Sequence, residues 1–143
     1  MKPLQAVMTL LTMAIALMAA DDPSTFVDHE KVAAALAKGG PLVTAQDLLV
    51  SGSHRTGPGQ VEVHEKQTDI IYVIDGEATF VTGGAIVGSK TTSPGQFLGT
   101  DIRNGVTHHL SKGDVVVVPA GTPHWFKEVP QPISYFVVKV LKP

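Results

Sequence analysis

Beyond Pro41 the chain is a succession of short β-rich runs broken by Gly, Pro, Asp and Asn, and this grammar limits it to few architectures. Such runs fall at 47–55, 60–65, 68–74, 77–82, 107–110, 114–118, 124–128 and 133–141. Turn signals separate them at Gly57-Pro58-Gly59, Asp75-Gly76, Gly83-Gly84, Lys112-Gly113 and Pro130-Gln131-Pro132. Many short strands with regular turns predict an all-β sandwich or an antiparallel β-barrel. Residues 70–74 and 115–118 are continuously apolar, which predicts strands covered on both faces. Residues 84–105 carry no strong periodic signal and read as a long loop at the barrel mouth.

One helix precedes the strands, at 28–38. Asp28 can cap its first turn, residues 33–37 are strong helix formers, and Lys38 suits the negative end of the dipole. Gly39-Gly40 stops it and Pro41 prevents continuation. Earlier still, Lys2 is followed by an uncharged run to Ala20, then Asp21 and Asp22. A basic start, an apolar stretch and small residues have the layout of a secretory signal over residues 1–20. The expectation is a short N-terminal helical segment at 21–41 and one barrel domain at 42–143, periplasmic or secreted, with no stable membrane anchor after signal cleavage. An uncleaved anchor is the competing reading, against which Pro3, Gln5 and two Thr dilute a short run.

The 143 residues suffice for one domain. A formal charge of −2, with Lys and Arg scattered, gives no electrostatic footprint for nucleic acid or anionic lipid. There are no cysteines, so any metal is held by nitrogen and oxygen from six His and thirteen Asp plus Glu.

The chemistry-bearing residues sit at three places. In Gln60-Val61-Glu62-Val63-His64, strand alternation points Glu62 and His64 to one face, where they can chelate one cation. A polar strand surface is the structural alternative. Asp69 opens a very apolar run, as ligand or as turn residue. His124 follows a valine strand and the turn Pro119-Ala120-Gly121-Thr122-Pro123; alone, it could be a hydrogen-bonded core histidine.

Together these segments resemble the cupin family. Gly113, Pro119, Gly121 and His124 match its second motif without a gap: Gly, five residues, Pro, one residue, Gly, two residues, His. In the first motif, two His spaced by one residue are followed by a carboxylate, six residues and Gly. Asp69 and Gly76 match the latter part, and the His pair falls on Glu62 and His64. The resemblance spans about 62–128 and implies a cupin/jelly-roll barrel with Glu62, His64, Asp69 and His124 around one divalent metal. Glu62 replaces the usual first His and Asp69 the usual Glu. Two carboxylates and two imidazoles would leave the centre neutral, favour Mn or Fe while allowing Zn, and attract anionic substrates less than the family's usual +1 centre.

Other residues are weaker candidates. Phe126, His54 and Arg55 are candidate substrate-pocket residues. His108 or His109 could act as acid or base, and Glu128, on the strand face of His124, could orient a ligand histidine. Tyr72 and Trp125 fall on faces opposite the ligands and suit packing, including a homodimer contact. The resemblance implies action on a small organic molecule by Lewis-acid or O2-dependent chemistry, as an oxygenase, lyase or isomerase; the alternative is a non-catalytic module binding a sugar or organic acid.

Overall fold

The computed structural model describes residues 22–143, and the expected signal at 1–20 lies outside them. The described residues form one helix, α1 (His29–Lys38), and eleven strands. These are β1 (Gly40–Thr44), β2 (Leu48–Arg55), β3 (Val61–His64), β4 (Gln67–Thr82), β5 (Ala85–Val87) and β6 (Lys90–Ser93), then β7 (Gln96–Gly99), β8 (Asp101–Arg103), β9 (Val106–Leu110), β10 (Val115–Val118) and β11 (His124–Leu141). No helix of the described residues is long and apolar enough to cross a membrane. The Asp28 carboxylate accepts from the Lys31 amide and caps α1 as expected, and Gly39, at φ 79°, ends it.

Two long strands organise the barrel. β4 and β11 pair antiparallel along almost their whole length, from Gln67 opposite Leu141 to Thr82 opposite His124. The first half of β4 and second half of β11 belong to one face, flanked by β10 on one side and by β2 and β1 on the other. Their other halves belong to the opposite face, flanked by β9 and by β3, β7 and β6. Both inner faces contribute to one core of Ile71, Val73, Ala78, Phe80, Leu110, Val118, Phe126, Ile133 and Tyr135. Full burial of a side chain such as Ile133 or Phe80 stabilises the fold by about 1.5–3 kcal/mol.

The strand pair changes faces where turns were expected. Asp75-Gly76 and Pro130-Gln131-Pro132 do not end strands; they are the irregular, bent middle of β4 and β11. Gly76 has φ 87° and lies directly under the backbone of Pro132 and Ile133, so its missing Cβ is what permits the bend.

Two further expectations are corrected. Residues 84–105 are not a structureless loop: they form β5–β8, and β7 pairs with β3. These strands have three or four residues, and β6 is exposed throughout, so no burial period marks them in sequence. Nor are the apolar runs of β4 and β10 covered on both faces. Val115 and Val117 are 59% and 57% exposed and Tyr72 is 44% exposed. Helix α1 packs chiefly on the β2 side of that outer face, where Ala35 sits directly over Gly52.

Candidate metal centre

The two motif segments meet through the backbone. The Gly121 amide donates to the carbonyl of His64 (2.7 Å), and Gly121 adopts φ 80°, a conformation glycine takes without strain. This ties the turn after β10 to the end of β3. The chain then enters β11 with His124 directly opposite Glu62. Alternation along β3 brings Glu62 and His64 to the same side, while Val61 and Val63 are buried on the other.

Glu62, His64 and His124 each aim one ligand atom at a common point, all within 4.8 Å of one another. Glu62 Oε2 lies 3.6 Å from His124 Nε2 and 3.9 Å from His64 Nε2. Both imidazoles are oriented from behind. His64 Nδ1 hydrogen-bonds the side-chain oxygen of Gln96, its cross-strand partner on β7, and His124 Nδ1 hydrogen-bonds the carbonyl of Thr122 at 3.1 Å. A carbonyl oxygen can only accept, so Nδ1 carries a proton in both rings and each turns its Nε2 inward. Burial, followed by the ammonium of Lys139, pushes the His64 imidazole below its ordinary range. The imidazole of His124 holds the Glu62 carboxyl below the usual carboxylate range, against the effect of burial. The result is one anionic oxygen and two inward-facing imidazole Nε2 atoms.

This donor set fits a divalent cation. The observation that tests it is His64 Nε2, which is buried and has no hydrogen-bond partner. A neutral imidazole held by its Nδ1–H and left with an unpartnered Nε2 is the arrangement a metal completes. Mn2+, Fe2+ and Zn2+ all accept two imidazoles and a carboxylate.

Asp69 is beside this group but differently engaged. It is buried, with Oδ2 3.7 Å from both His64 Nε2 and His124 Nε2. Lys139, its cross-strand partner on β11, donates to both of its oxygens at 2.7 and 2.9 Å. The expectation of a neutral centre with two free carboxylates therefore omitted a cation: Lys139 compensates Asp69. Sequence reading missed Lys139, whose signal was a single charge in the apolar run Phe136-Val137-Val138-Lys139-Val140. It also missed Gln96, which lies in the supposed loop.

The three histidine and carboxylate tips open into a cavity of about 260 Å³, lined also by Arg55, Lys139, Ser53, Tyr135 and Phe126. Of the candidate pocket residues, Phe126 and Arg55 line this cavity and His54 does not. Alternation along β2 turns His54 outward, where it bonds the Ser134 hydroxyl at 2.9 Å. His108 and His109 also lie outside the cavity: His108 Nε2 contacts the Thr82 hydroxyl at 2.9 Å, and His109 is exposed beside Glu77. Glu128 does not share the inward face of His124. The register shifts between Phe126 and Glu128, an extra residue that sends Glu128 outward to accept from Thr79 at 2.8 Å.

The family model described as Cupin matches residues 47–141. None of the curated proteins matches the chain. Among solved structures, a protein from Bacillus halodurans superposes with a TM-score of 0.58 at 14% identity, covering 86% of each chain. Hydroquinone 1,2-dioxygenase from Sphingomonas sp. TTNP3, with 4-hydroxybenzoate bound, gives 0.53 at 12% identity, over 72% of this chain and 65% of that one. A protein from Thermus thermophilus gives 0.51 at 21% identity, over 72% and 81%. At these identities the likeness is one of fold.

Proposed function

Because the chain belongs to the cupin family, we propose that it binds one divalent metal through Glu62, His64 and His124 and acts there on a small organic molecule. The observation that carries this reading is the buried, unpartnered Nε2 of His64, aimed at the same point as the Glu62 and His124 ligand atoms. Asp69 enters the reading as the residue that positions Lys139 rather than as a further ligand. Two imidazoles and one carboxylate leave coordination positions open, as in non-haem iron oxygenases, and suit Mn or Fe, with Zn as a redox-inert substitute. When bound, the metal would supply Lewis acidity or a site for O2. The protein's part is to hold the ligands, wall the reaction with Phe126 and Tyr135, and offer the Tyr135 and Ser53 hydroxyls to the ligand. The basic, apolar and small-residue layout of 1–20 supports action outside the cytoplasm.

Oxygen uptake separates the chemistries. The iron-loaded protein is assayed over phenols and small acids; substrate-dependent uptake lost in His124→Ala supports an oxygenase, and turnover without uptake supports a lyase or isomerase. Binding without turnover is the second reading. It draws on the positions of His108, His109 and Glu128, none of which lines the cavity to serve as acid or base.

A further inference from the structure

The cavity holds one cation whose charge nothing in it answers. Among the described residues, Glu62 faces the two histidines and Asp69 is paired with Lys139, whereas Arg55 makes no ion pair and its buried Nε has no hydrogen-bond partner. The guanidinium is nevertheless held in place. Its carbon stands 4.9 Å over the Phe126 ring, and it packs against Gly59, where an added Cβ would come within 2.7 Å of Nη1. A planar fork of donors, stacked on an aromatic ring and short of acceptors, is built to receive a planar anion.

The geometry points to a small carboxylic acid as the ligand of this cavity, its carboxylate held by Arg55 and the rest of the molecule directed toward Glu62, His64 and His124. The inference rests on the metal-centre reading for that direction, and on Arg55 alone for the carboxylate. Charge supports it. Lys139 answers Asp69 and Glu62 would go to the metal, so a divalent ion would leave two positive charges in the cavity, one at the metal and one on Arg55, for an anion to neutralise. Size restricts the acid: about 260 Å³ lies below the usual range of small-molecule sites. Ile71, Val137 and Phe126 give it an apolar body to pack on.

Arg55 and Arg103 are the chain's two arginines, so the Nε–Hε region of a nitrogen-15 spectrum holds two arginine signals, assigned by Arg103→Lys. The zinc-loaded full chain is titrated with benzoate and propionate, and with benzamide and propionamide as uncharged counterparts. The expected result is a saturable shift of the Arg55 signal with at least one acid and none with its amide. Arg55→Gln should weaken acid binding, read by calorimetry, by about tenfold or more, the weight of a charge-assisted hydrogen bond, with zinc stoichiometry unchanged. An Arg55 signal unmoved by both acids at millimolar concentration, equal response to acid and amide, or undiminished binding by Arg55→Gln overturns the inference. The metal reading fails separately: if zinc does not bind but the acids still move Arg55, the carboxylate site stands and the metal centre does not.

Discussion

Lys139 grips both carboxylate oxygens of Asp69, at 2.7 and 2.9 Å, directly across the β4–β11 ladder. Asp69 is almost fully buried, and Lys139 is about three-quarters buried. Removing one charge of such a pair strands the other in a medium that solvates it poorly. Asp69→Asn is expected to cost about 3 kcal/mol, measured by urea unfolding, and the double variant Asp69→Leu, Lys139→Met should recover most of that loss. Equal loss in the single and double variants would show that the pair itself is not what matters. The same single variant should reduce metal affinity far less than Glu62→Gln does.

Gln96 supplies the acceptor that fixes the His64 ring. Partners of this kind typically weigh about 10–100-fold in metal affinity. Gln96→Leu is expected to weaken zinc binding within that range while leaving the far-ultraviolet circular dichroism unchanged. Calorimetry that found wild-type affinity would remove Gln96 from the site.

The residues nearest the metal point were legible because their geometry is local. Parity on a four-residue strand suffices to place Glu62 with His64, and the spacing from Gly113 to His124 describes one strand and one turn. Lys139 and Gln96 reach the site only through long-range register, as partners of Asp69 and His64, and nothing in their own neighbourhoods specifies it. Glu128 misled for a local reason: alternation holds through Phe126 and breaks at the extra residue beyond it. Asp75-Gly76 has the composition of a turn, and its glycine is used for positive φ, but in a continuous strand that bends rather than reverses.

That bend makes Gly76 a sensitive position. A Cβ there would overlap the Pro132 carbonyl and stand 2.7 Å from the Ile133 Cα, both backbone atoms unable to swing aside. Gly76→Ala is expected to destabilise the fold by roughly 3 kcal/mol or more, seen as a large drop in thermal midpoint. Gly121→Ala offers the comparison: its φ is also positive, but nothing lies within 4 Å of the new carbon, so the loss should be smaller. Similar losses would mean that strain at φ, not the crossing of β4 and β11, sets the cost.

His108, His109 and Glu128 lie outside the cavity and should be silent in metal binding. Alanine at each is expected to leave zinc affinity within about twofold of wild type, the scatter usual for surface substitutions. A tenfold loss at any of them would place that residue in the centre and contradict the outward turn seen here.

Whether Glu62, His64 and His124 form one metal site is tested most directly by metal analysis. The purified full chain is loaded with Zn2+, Mn2+ or Fe2+ and freed of excess ion, with Glu62→Ala, His64→Ala and His124→Ala alongside. Close to one equivalent is expected in the wild type and a large loss in all three variants, each still folded by circular dichroism. Substoichiometric metal in the replete wild type, or one equivalent retained by the histidine variants, would contradict a shared site.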